Sequence, residues 1–215
     1  MKKLIIFDLD GTLIDTSQGI MHCYHETGNL LELEENPIDN EKCVIGGPLS
    51  DGFRALYKIN DKDTLHQAID KYRQLYGEIG INLFSVYDGV EQMLDNLKEN
   101  GYLLAVATLK AEDYAKEILR KAGLSEKFDV ICGWDGTEKC TKAMIITKVL
   151  YTLNVMCGDA LLAGDSEYDA KGADAAGVDF LGVGYGFGLK NKIYKDKFII
   201  ANSPEDICDC IFNRI

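Results

Sequence analysis

The sequence predicts an α/β protein in which a doubly wound, Rossmann-like parallel sheet core carries an inserted α-helical cap domain. Apolar runs of strand length alternate with amphipathic helical patterns over most of the chain, which indicates a parallel sheet covered by helices on both faces. Residues 16–85 interrupt this alternation, because they contain helical patterns and no convincing strand. We therefore predict an α/β core formed by residues 1–15 and 86–215, and a helical cap formed by residues 16–85, inserted after the first strand.

The predicted strands are the short apolar runs. The first contains Leu4-Ile5-Ile6-Phe7 and ends at Asp8, and helical patterns lie between the last four runs. Runs of this length that alternate with helical patterns are typical of the buried strands of a parallel sheet. The predicted strands are residues 3–8, 102–108, 128–132, 160–164 and 178–183.

Helix start and stop signals bound the helical patterns of the core. The first pattern begins at Asp88, which we predict as the N-cap, and stops at Gly101. The last begins with Ser203 as N-cap and Pro204 at the first helical position. Between them, helices are predicted over residues 112–122, 141–153 and 166–176.

Composition limits the classes of partner and compartment. The chain of 215 residues has a formal net charge of −12, which disfavours nucleic acid and anionic membranes because both bind basic surfaces. The apolar start MKKLIIF stops at Asp8, so it is too short for a signal peptide, and no stretch is long enough to span a membrane. The seven cysteines contain no CxxC pair, which is typical of reduced thiols in a cytoplasmic protein.

Polar residues follow several of the predicted strands and helix starts. They are Asp8 and Asp10 after the first strand, Thr108 at the end of the second, Asp165 and Asp169 after the fourth, and Lys142 at a helix start. Ligands of open parallel sheets bind beyond the carboxyl ends of the strands, so we expect these side chains to meet at one edge. Mg²⁺ binds a few carboxylates together with water and phosphate oxygens, and a carboxylate can form an aspartyl-phosphate. The cluster therefore predicts one acid that attacks phosphorus, another that transfers a proton, and a metal ion.

These residues resemble the motifs of the haloacid dehalogenase-like hydrolase superfamily, in its phosphoglycolate-phosphatase-like branch with a helical cap. Four motifs match in order: Asp-Leu-Asp-Gly-Thr at residues 8–12, Thr108, Lys142, and Gly-Asp-Ser-Glu-Tyr-Asp at residues 164–169. Together with the cap, the resemblance covers essentially the whole chain.

The resemblance implies a role for each matching residue. Asp8 would be the nucleophile and Asp10 the general acid/base. The Thr108 hydroxyl, the backbone N–H of Leu109 and Lys142 would hold the phosphoryl group. Mg²⁺ would be bound by Asp8, the backbone carbonyl of Asp10, and Asp165, while Asp169 would orient a metal-bound water or Lys142.

The second motif departs from the family pattern. The family often has Ser or Asn after the motif threonine and Pro after the following lysine, whereas this chain reads Thr108-Leu109-Lys110-Ala111. The backbone N–H at Leu109 survives this change, but a side-chain hydrogen bond is lost. Lys110 fits either a phosphate contact or the surface, and Lys139 is an alternative to Lys142.

Two further features have an ordinary interpretation and a functional one. The single Trp134 is near the expected edge, where packing is favoured over contact with substrate. The glycines of residues 182–188 do not have the GxGxxG spacing of a dinucleotide site, so we predict a loop at the mouth of the cleft.

The function that the resemblance implies is a Mg²⁺-dependent phosphatase. Its substrate and partner would be a small phosphorylated metabolite: phosphoglycolate, a sugar phosphate or a nucleoside monophosphate. Alternatives are a phosphomutase of the same fold and a non-catalytic relative that binds a phosphorylated ligand. A dehalogenase is disfavoured, because departure of a halide does not need the proton that Asp10 would donate. We expect a monomer or a dimer.

The insertion is the predicted source of substrate selectivity, since the core motifs leave nothing to recognise the leaving group. Residues 45–54 contain the stiff turn Gly46-Gly47-Pro48 and, further along, Arg54. Such a turn can present backbone N–H groups, and an arginine can bind a carboxylate or a second phosphate. The alternative is a connector with an exposed arginine.

Overall fold

A six-stranded parallel sheet forms the centre of the protein within the residues that the computed structural model describes, which are 2–137, 140–189 and 197–214. The strands found in these ranges are β1 (Leu4–Phe7), β2 (Ile14–Asp15), β3 (Ser85–Val86), β4 (Leu103–Ala111), β5 (Val130–Trp134), β6 (Ala160–Gly164), β7 (Asp179–Val183) and β8 (Ile200–Ala201). The large sheet has the order β5-β4-β1-β6-β7-β8, and its neighbouring strands are all parallel. The predicted fold class is confirmed.

The α-helices within the same ranges cover both faces of this sheet and build the inserted layer. They are α1 (Ser17–Leu30), α2 (Leu49–Leu56), α3 (Lys62–Glu78), α4 (Val90–Glu99), α5 (Glu112–Lys121), α6 (Lys142–Leu153), α7 (Glu167–Ala176) and α8 (Pro204–Arg214). Alternate residues of β1 supply the two cores: Ile5 and Phe7 belong to the cluster shared with α4, α5 and α8, and Leu4 and Ile6 to the cluster shared with α6 and α7. Because both faces of β1 are covered, its sequence is continuously apolar.

The register of the central strands brings the polar residues together. Phe7 pairs with Val106 of β4 and with Ala163 of β6. The chain therefore places Asp8, Thr108 and Asp165 within one or two residues of the same level, at the carboxyl edge of the sheet. This is the edge at which open parallel sheets bind ligands.

The helices α1, α2 and α3 pack on one another between β1 and β4 in the chain. Their shared core is aromatic: the Tyr24 ring lies 4.8 Å from the Phe53 ring and 4.8 Å from the Tyr72 ring, measured between centroids. The amphipathic patterns of the insertion thus pack their apolar faces against each other, as expected for surface helices.

The structure differs from the sequence-based prediction at several short elements. β2 and β3 form an antiparallel pair, Ile14 with Val86, that joins the two ends of the insertion, and two-residue strands are too short for a periodic signal. β8 was likewise not predicted. Asp88 as N-cap was wrong, because the N-cap of α4 is Gly89 with φ 89°, a left-handed conformation that glycine adopts readily. The division into core and cap at residues 15/16 and 85/86 stays a prediction.

The second predicted strand is longer than expected. β4 continues beyond Thr108 to Ala111, after an irregularity in its pairing with β5. The extension includes Lys110, whose Nζ reaches the Tyr76 hydroxyl on α3. Among the described helices, none combines the length and the apolar character that crossing a membrane requires.

Candidate active site

Asp8, Asp165 and Asp169 form a buried carboxylate cluster at the carboxyl edge of the sheet. One carboxylate oxygen of each lies within 4.8 Å of the others. They come from three places in the chain: directly after β1, directly after β6, and the first turn of α7. Like charges at this separation repel one another in a poorly solvated site, so the cluster needs positive charge.

Lys142 supplies positive charge from the start of α6. Its Nζ lies 2.6 Å from Asp8 Oδ1 and 2.6 Å from Asp169 Oδ1, and its side chain is 5% exposed. Gly172 makes room for it, since a Cβ at that position would lie 2.6 Å from Lys142 Cγ. The structure thus brings Lys142 to the predicted nucleophile, and its alternative Lys139 lies outside the described residues.

The electrostatics of the cluster favour protonation of Asp8 and Asp165. Burial, followed by the charge of Asp169, raises the pKa of Asp8 to about 7, although Lys142 opposes the shift. Burial, followed by the charges of Asp169 and Asp8, raises the pKa of Asp165 well above its usual value. Burial lowers the pKa of Lys142, but Asp169 and Asp8 raise it more, so the lysine stays charged. Such shifts are common at functional sites.

Asp165 offers an unsatisfied oxygen to this cluster. Its Oδ2 accepts hydrogen bonds from the backbone N–H groups of Phe187 at 2.6 Å and Gly188 at 3.3 Å. Its Oδ1 is buried and has no hydrogen-bond partner among the described residues. A buried carboxylate oxygen without a donor is costly, and a cation would satisfy it. The donor set therefore fits a hard metal ion.

Asp169 has no such free oxygen. Its Oδ2 accepts from the backbone N–H of Ser166 at 3.0 Å and from the Ser166 hydroxyl at 2.6 Å, while its Oδ1 faces Lys142. The reciprocal hydrogen bonds form a capping box at the start of α7. Asp169 is thus placed to fix Lys142, in agreement with one of the roles expected for it.

The glycines of residues 182–188 have a structural task at this site. A Cβ on Gly186 would lie 2.4 Å from Asp165 Cβ, and one on Gly11, whose φ is +82°, would lie 2.4 Å from Asp165 Oδ2. Side chains at these positions would displace Asp165. The predicted loop therefore packs directly on Asp165 and supplies two backbone donors to it, a function that the sequence analysis did not assign.

Asp10 is buried beside the cluster and both of its oxygens have partners. Oδ1 accepts a hydrogen bond from the Thr16 hydroxyl at 2.5 Å, and Oδ2 lies 3.2 Å from Lys110 Nζ. The Lys110 side chain is 7% exposed, so the surface alternative for Lys110 was wrong. Its Nζ also donates to the hydroxyl of Tyr76 on α3 at 3.0 Å.

Thr108 and Leu109 lie at the edge of the sheet as expected. Thr108 is buried, and its hydroxyl accepts a hydrogen bond from the backbone N–H of Lys110 at 3.2 Å. Leu109 is half-buried, and its side chain packs against the apolar cluster of α6 and α7. The phosphate-binding roles of these two residues stay predictions.

Of the two insertion residues predicted to select the substrate, Gly47 lies against the core and Arg54 is exposed to solvent. Gly47 is close to Tyr168 of α7, since a Cβ on Gly47 would lie 2.7 Å from the Tyr168 ring. The Tyr168 hydroxyl donates to Asp51 Oδ2 on α2 at 3.1 Å. Arg54 is exposed, and the specificity roles of Gly47 and Arg54 stay predictions.

Trp134 is half-buried and connects the core to α3. Its Nε1–H donates to the Thr137 carbonyl oxygen at 2.7 Å, and the Arg73 guanidinium lies 4.8 Å from the centre of its ring. This contact with an arginine of the insertion agrees with the packing role that the sequence favoured.

Sequence reasoning missed several residues that support the site. Thr16 and Tyr76 were assigned to the cap without a role, and the Phe187 and Gly188 donors are backbone groups that no residue type reveals. Ser166 carried a signal, because Ser followed three residues later by an acid is the pattern of a capping box.

Comparison with known proteins identifies the family of this chain. A family model described as haloacid dehalogenase-like hydrolase matches residues 5–183. The tyrosine-protein kinase PtkA of Mycobacterium tuberculosis is 34% identical over 207 residues, covering 95% of this chain and 70% of PtkA. A phosphoglycolate phosphatase of Aquifex aeolicus is 32% identical over 219 residues, covering 99% of this chain and 98% of the relative.

The fold agrees as well. The crystal structure of a predicted phosphatase from Clostridium acetobutylicum matches with a TM-score of 0.89 and 33% identity, and 99% of each chain is covered. The resemblance seen in the motifs is thereby confirmed. The chain belongs to the haloacid dehalogenase-like hydrolase family, in its phosphoglycolate-phosphatase-like branch with a helical cap.

Proposed function

We propose that the protein is a Mg²⁺-dependent phosphatase that hydrolyses a small phosphate monoester through an aspartyl-phosphate on Asp8. The observation that carries this proposal is the pairing of Asp8 with Lys142 beside Asp165, whose Oδ1 has no hydrogen-bond partner within the described part of the chain. A nucleophilic carboxylate, a cation for the phosphoryl oxygens and a metal ligand then share one buried edge. The name of the Aquifex relative supports phosphoglycolate as a candidate substrate, alongside sugar phosphates and nucleoside monophosphates.

Asp8 attacks phosphorus in the first step. Lys142 binds Oδ1 of Asp8, so we assign the attack to the other carboxylate oxygen. The bond between phosphorus and the leaving oxygen breaks as the acyl-phosphate bond forms, and Asp10 donates a proton to the leaving oxygen. Asp10 then accepts a proton from the water that attacks phosphorus, which releases inorganic phosphate and restores Asp8.

The remaining residues hold the phosphoryl group and the metal. The Thr108 hydroxyl and the Leu109 backbone N–H bind phosphoryl oxygens, and Lys142 offsets the charge of the group being transferred. Asp8, the backbone carbonyl of Asp10 and Asp165 are the proposed Mg²⁺ ligands, and the ion supplies charge neutralisation for phosphoryl transfer. Asp169 keeps Lys142 in place.

Magnesium is expected to stabilise the protein more at about pH 8 than at about pH 6. The pKa of Asp8 in the folded protein is raised from 3.8 to about 7, so the folded metal-free protein binds this proton more tightly than the unfolded chain. Its stability therefore falls as the pH rises between these two values. Mg²⁺ must displace the proton below the folded pKa but meets a carboxylate above it.

Thermal unfolding with Mg²⁺ and with EDTA at both pH values measures this effect. A larger rise in Tm at the higher pH is expected, and Asp165→Asn should remove most of it. An equal rise at both pH values, or one that survives in Asp165→Asn, would place the metal elsewhere.

Substrate ranking is expected to change in Arg54→Ala and Gly47→Ala. Arg54 is an exposed cation of the insertion, and Gly47 lies against Tyr168, where a methyl group would disturb the contact between insertion and core. Hydrolysis of p-nitrophenyl phosphate should change by less than about threefold, while preferred anionic esters lose roughly tenfold, which is the range of one charge-assisted hydrogen bond. Arg120→Ala, an exposed arginine of α5, is the matched control, and equal losses on all esters would contradict the prediction.

A screen of phosphate esters at matched concentration, with Mg²⁺ and with EDTA, tests the proposed function. Release of inorganic phosphate that requires Mg²⁺ is the expected result. Return of phosphate to the substrate as an isomer would instead indicate the phosphomutase, and ligand binding without turnover would indicate a non-catalytic relative. The monomer or dimer state and the cytoplasmic location stay predictions.

A further inference from the structure

Lys110 connects the insertion to the proposed general acid/base. Its Nζ lies 3.2 Å from Asp10 Oδ2 and donates a hydrogen bond to the Tyr76 hydroxyl at 3.0 Å. The same Nζ lies 4.5 Å from the centre of the Tyr76 ring. Asp10 follows β1, Lys110 lies on β4 and Tyr76 lies on α3, so the contact joins two core elements to a helix of the cap.

The three groups are enclosed. The side chains of Lys110 and Asp10 are 7% and 8% exposed, and Tyr76 is 3% exposed. A buried ammonium group must be paired and hydrogen-bonded, and here Asp10 and Tyr76 provide those partners. Loss of either partner would leave Lys110 free to move or to bind the remaining one in another position.

Tyr76 is itself fixed where α3 meets the core. Its ring lies 5.5 Å from the ring of Tyr114 on α5, and the Tyr114 hydroxyl donates to the Arg73 carbonyl oxygen at 3.3 Å. The position of Tyr76 therefore depends on how α3 sits on α5. A shift of the cap would carry the Tyr76 hydroxyl away from Lys110.

We propose that Lys110 is a positioning residue for the Asp10 carboxylate and that Tyr76 makes this positioning depend on the seated cap. Lys110 holds Oδ2 of Asp10 and thereby keeps this carboxyl group oriented for proton transfer to the leaving oxygen. Lys110 keeps that position only while it is bound to the Tyr76 hydroxyl. This inference rests on the proposed function, in which Asp10 transfers the proton. The competing role for Lys110 is a direct contact with the phosphate. Loss of a positioning residue would slow only esters whose leaving group needs a proton, whereas loss of a phosphate contact would slow all esters.

A pair of aryl esters separates these roles. Nitrophenolate leaves without a proton, whereas phenolate is a poorer leaving group that benefits from one, and the two esters are nearly the same shape. With enzyme in excess, the rate of release of the leaving group in a single turnover reports the step in which Asp10 acts as the acid. Phenyl phosphate and p-nitrophenyl phosphate are therefore compared in the wild type, in Tyr76→Phe and in Lys110→Met.

Tyr76→Phe should slow phenyl phosphate roughly tenfold and p-nitrophenyl phosphate by less than about twofold, with KM unchanged, because general acid catalysis contributes about 10²–10⁴-fold in all. Lys110→Met should show the same selectivity with a larger loss on phenyl phosphate, and Lys110→Arg should restore part of it. Tyr57→Phe is the matched control, since it removes a buried tyrosine hydroxyl contact within the cap, to the Tyr24 carbonyl oxygen, without touching Lys110 or Tyr76, and it should slow neither ester selectively.

Other outcomes overturn the inference. Equal slowing of both esters in Tyr76→Phe and Lys110→Met would indicate a phosphate contact or a general disturbance, and no slowing in either would show that Asp10 needs neither residue. If thermal unfolding shows that Lys110→Met does not fold, the rates of Tyr76→Phe on the two esters test the inference by themselves. A wild type that releases phosphate from no ester of the screen would overturn the proposed function itself, which distinguishes the two failures.

Discussion

Asp8→Asn is expected to lower kcat by ~10³-fold or more, because an amide cannot form the acyl-phosphate. Asp8 lies at the end of the central strand, and Lys142 contacts its carboxylate at 2.6 Å. The neighbouring carboxylates are committed elsewhere, since both oxygens of Asp169 have partners and Asp165, held at Oδ2 by two backbone donors, is proposed to bind the metal through Oδ1. The measurement is steady-state turnover of p-nitrophenyl phosphate in the presence of Mg²⁺.

The same variant should stay folded. The raised pKa of Asp8 shows that its charged form is unfavourable in this buried cluster, so a neutral amide removes repulsion while Lys142 keeps Asp169. We expect the Tm of metal-free Asp8→Asn at about pH 8 to equal or exceed that of the wild type. Asp88→Asn, at an exposed aspartate with no assigned role, is the matched control, and substantial turnover by purified Asp8→Asn would remove Asp8 from the nucleophile position.

Lys142→Met should reduce both stability and turnover. It leaves Asp8 and Asp169 as buried, unpaired carboxylates, and breaking such a pair costs about 3–5 kcal/mol. It also removes a preorganised cation from the transferring group, which is worth about 10²–10³-fold in kcat. Urea unfolding and turnover under conditions in which the variant is folded measure the two effects.

The loss of stability in Lys142→Met is expected to be smaller at about pH 6 than at about pH 8. At about pH 6 Asp8 is mostly protonated, because burial raises its pKa to about 7, so the missing lysine matters less than at about pH 8. Lys148→Met is the matched control, since Lys148 lies on the same helix but forms an exposed ion pair with Glu112, and such pairs contribute about 0–1 kcal/mol. Equal effects of Lys142→Met and Lys148→Met would show that Lys142 does not pair with the buried carboxylates.

The central sheet and the carboxylate cluster could be predicted because each depends on a local pattern. β1 and β6 are continuous apolar runs, and Asp8 and Asp165 follow them directly. Parallel pairing then brings the ends of these strands to one level without further information. The position of Lys142 could be predicted as well, because it begins α6, the helix that precedes β6.

The support around the cluster could not be predicted, because it depends on contacts between distant segments or on backbone groups. Tyr76 and Lys110 are 34 residues apart, and an aromatic residue on an amphipathic helix is ordinarily read as core packing. The donors that hold Asp165 are backbone N–H groups of Phe187 and Gly188. Spacing rules describe side-chain faces and cannot reveal such donors.

A phosphoryl group on Asp8 can be trapped during turnover. The protein is mixed with p-nitrophenyl phosphate and Mg²⁺, quenched with acid within the first turnover, and digested for peptide mass analysis. We predict a phosphoryl group on Asp8 and none in Asp8→Asn. Hydrolysis without a phosphorylated peptide, or a phosphoryl group on another residue, would contradict this prediction.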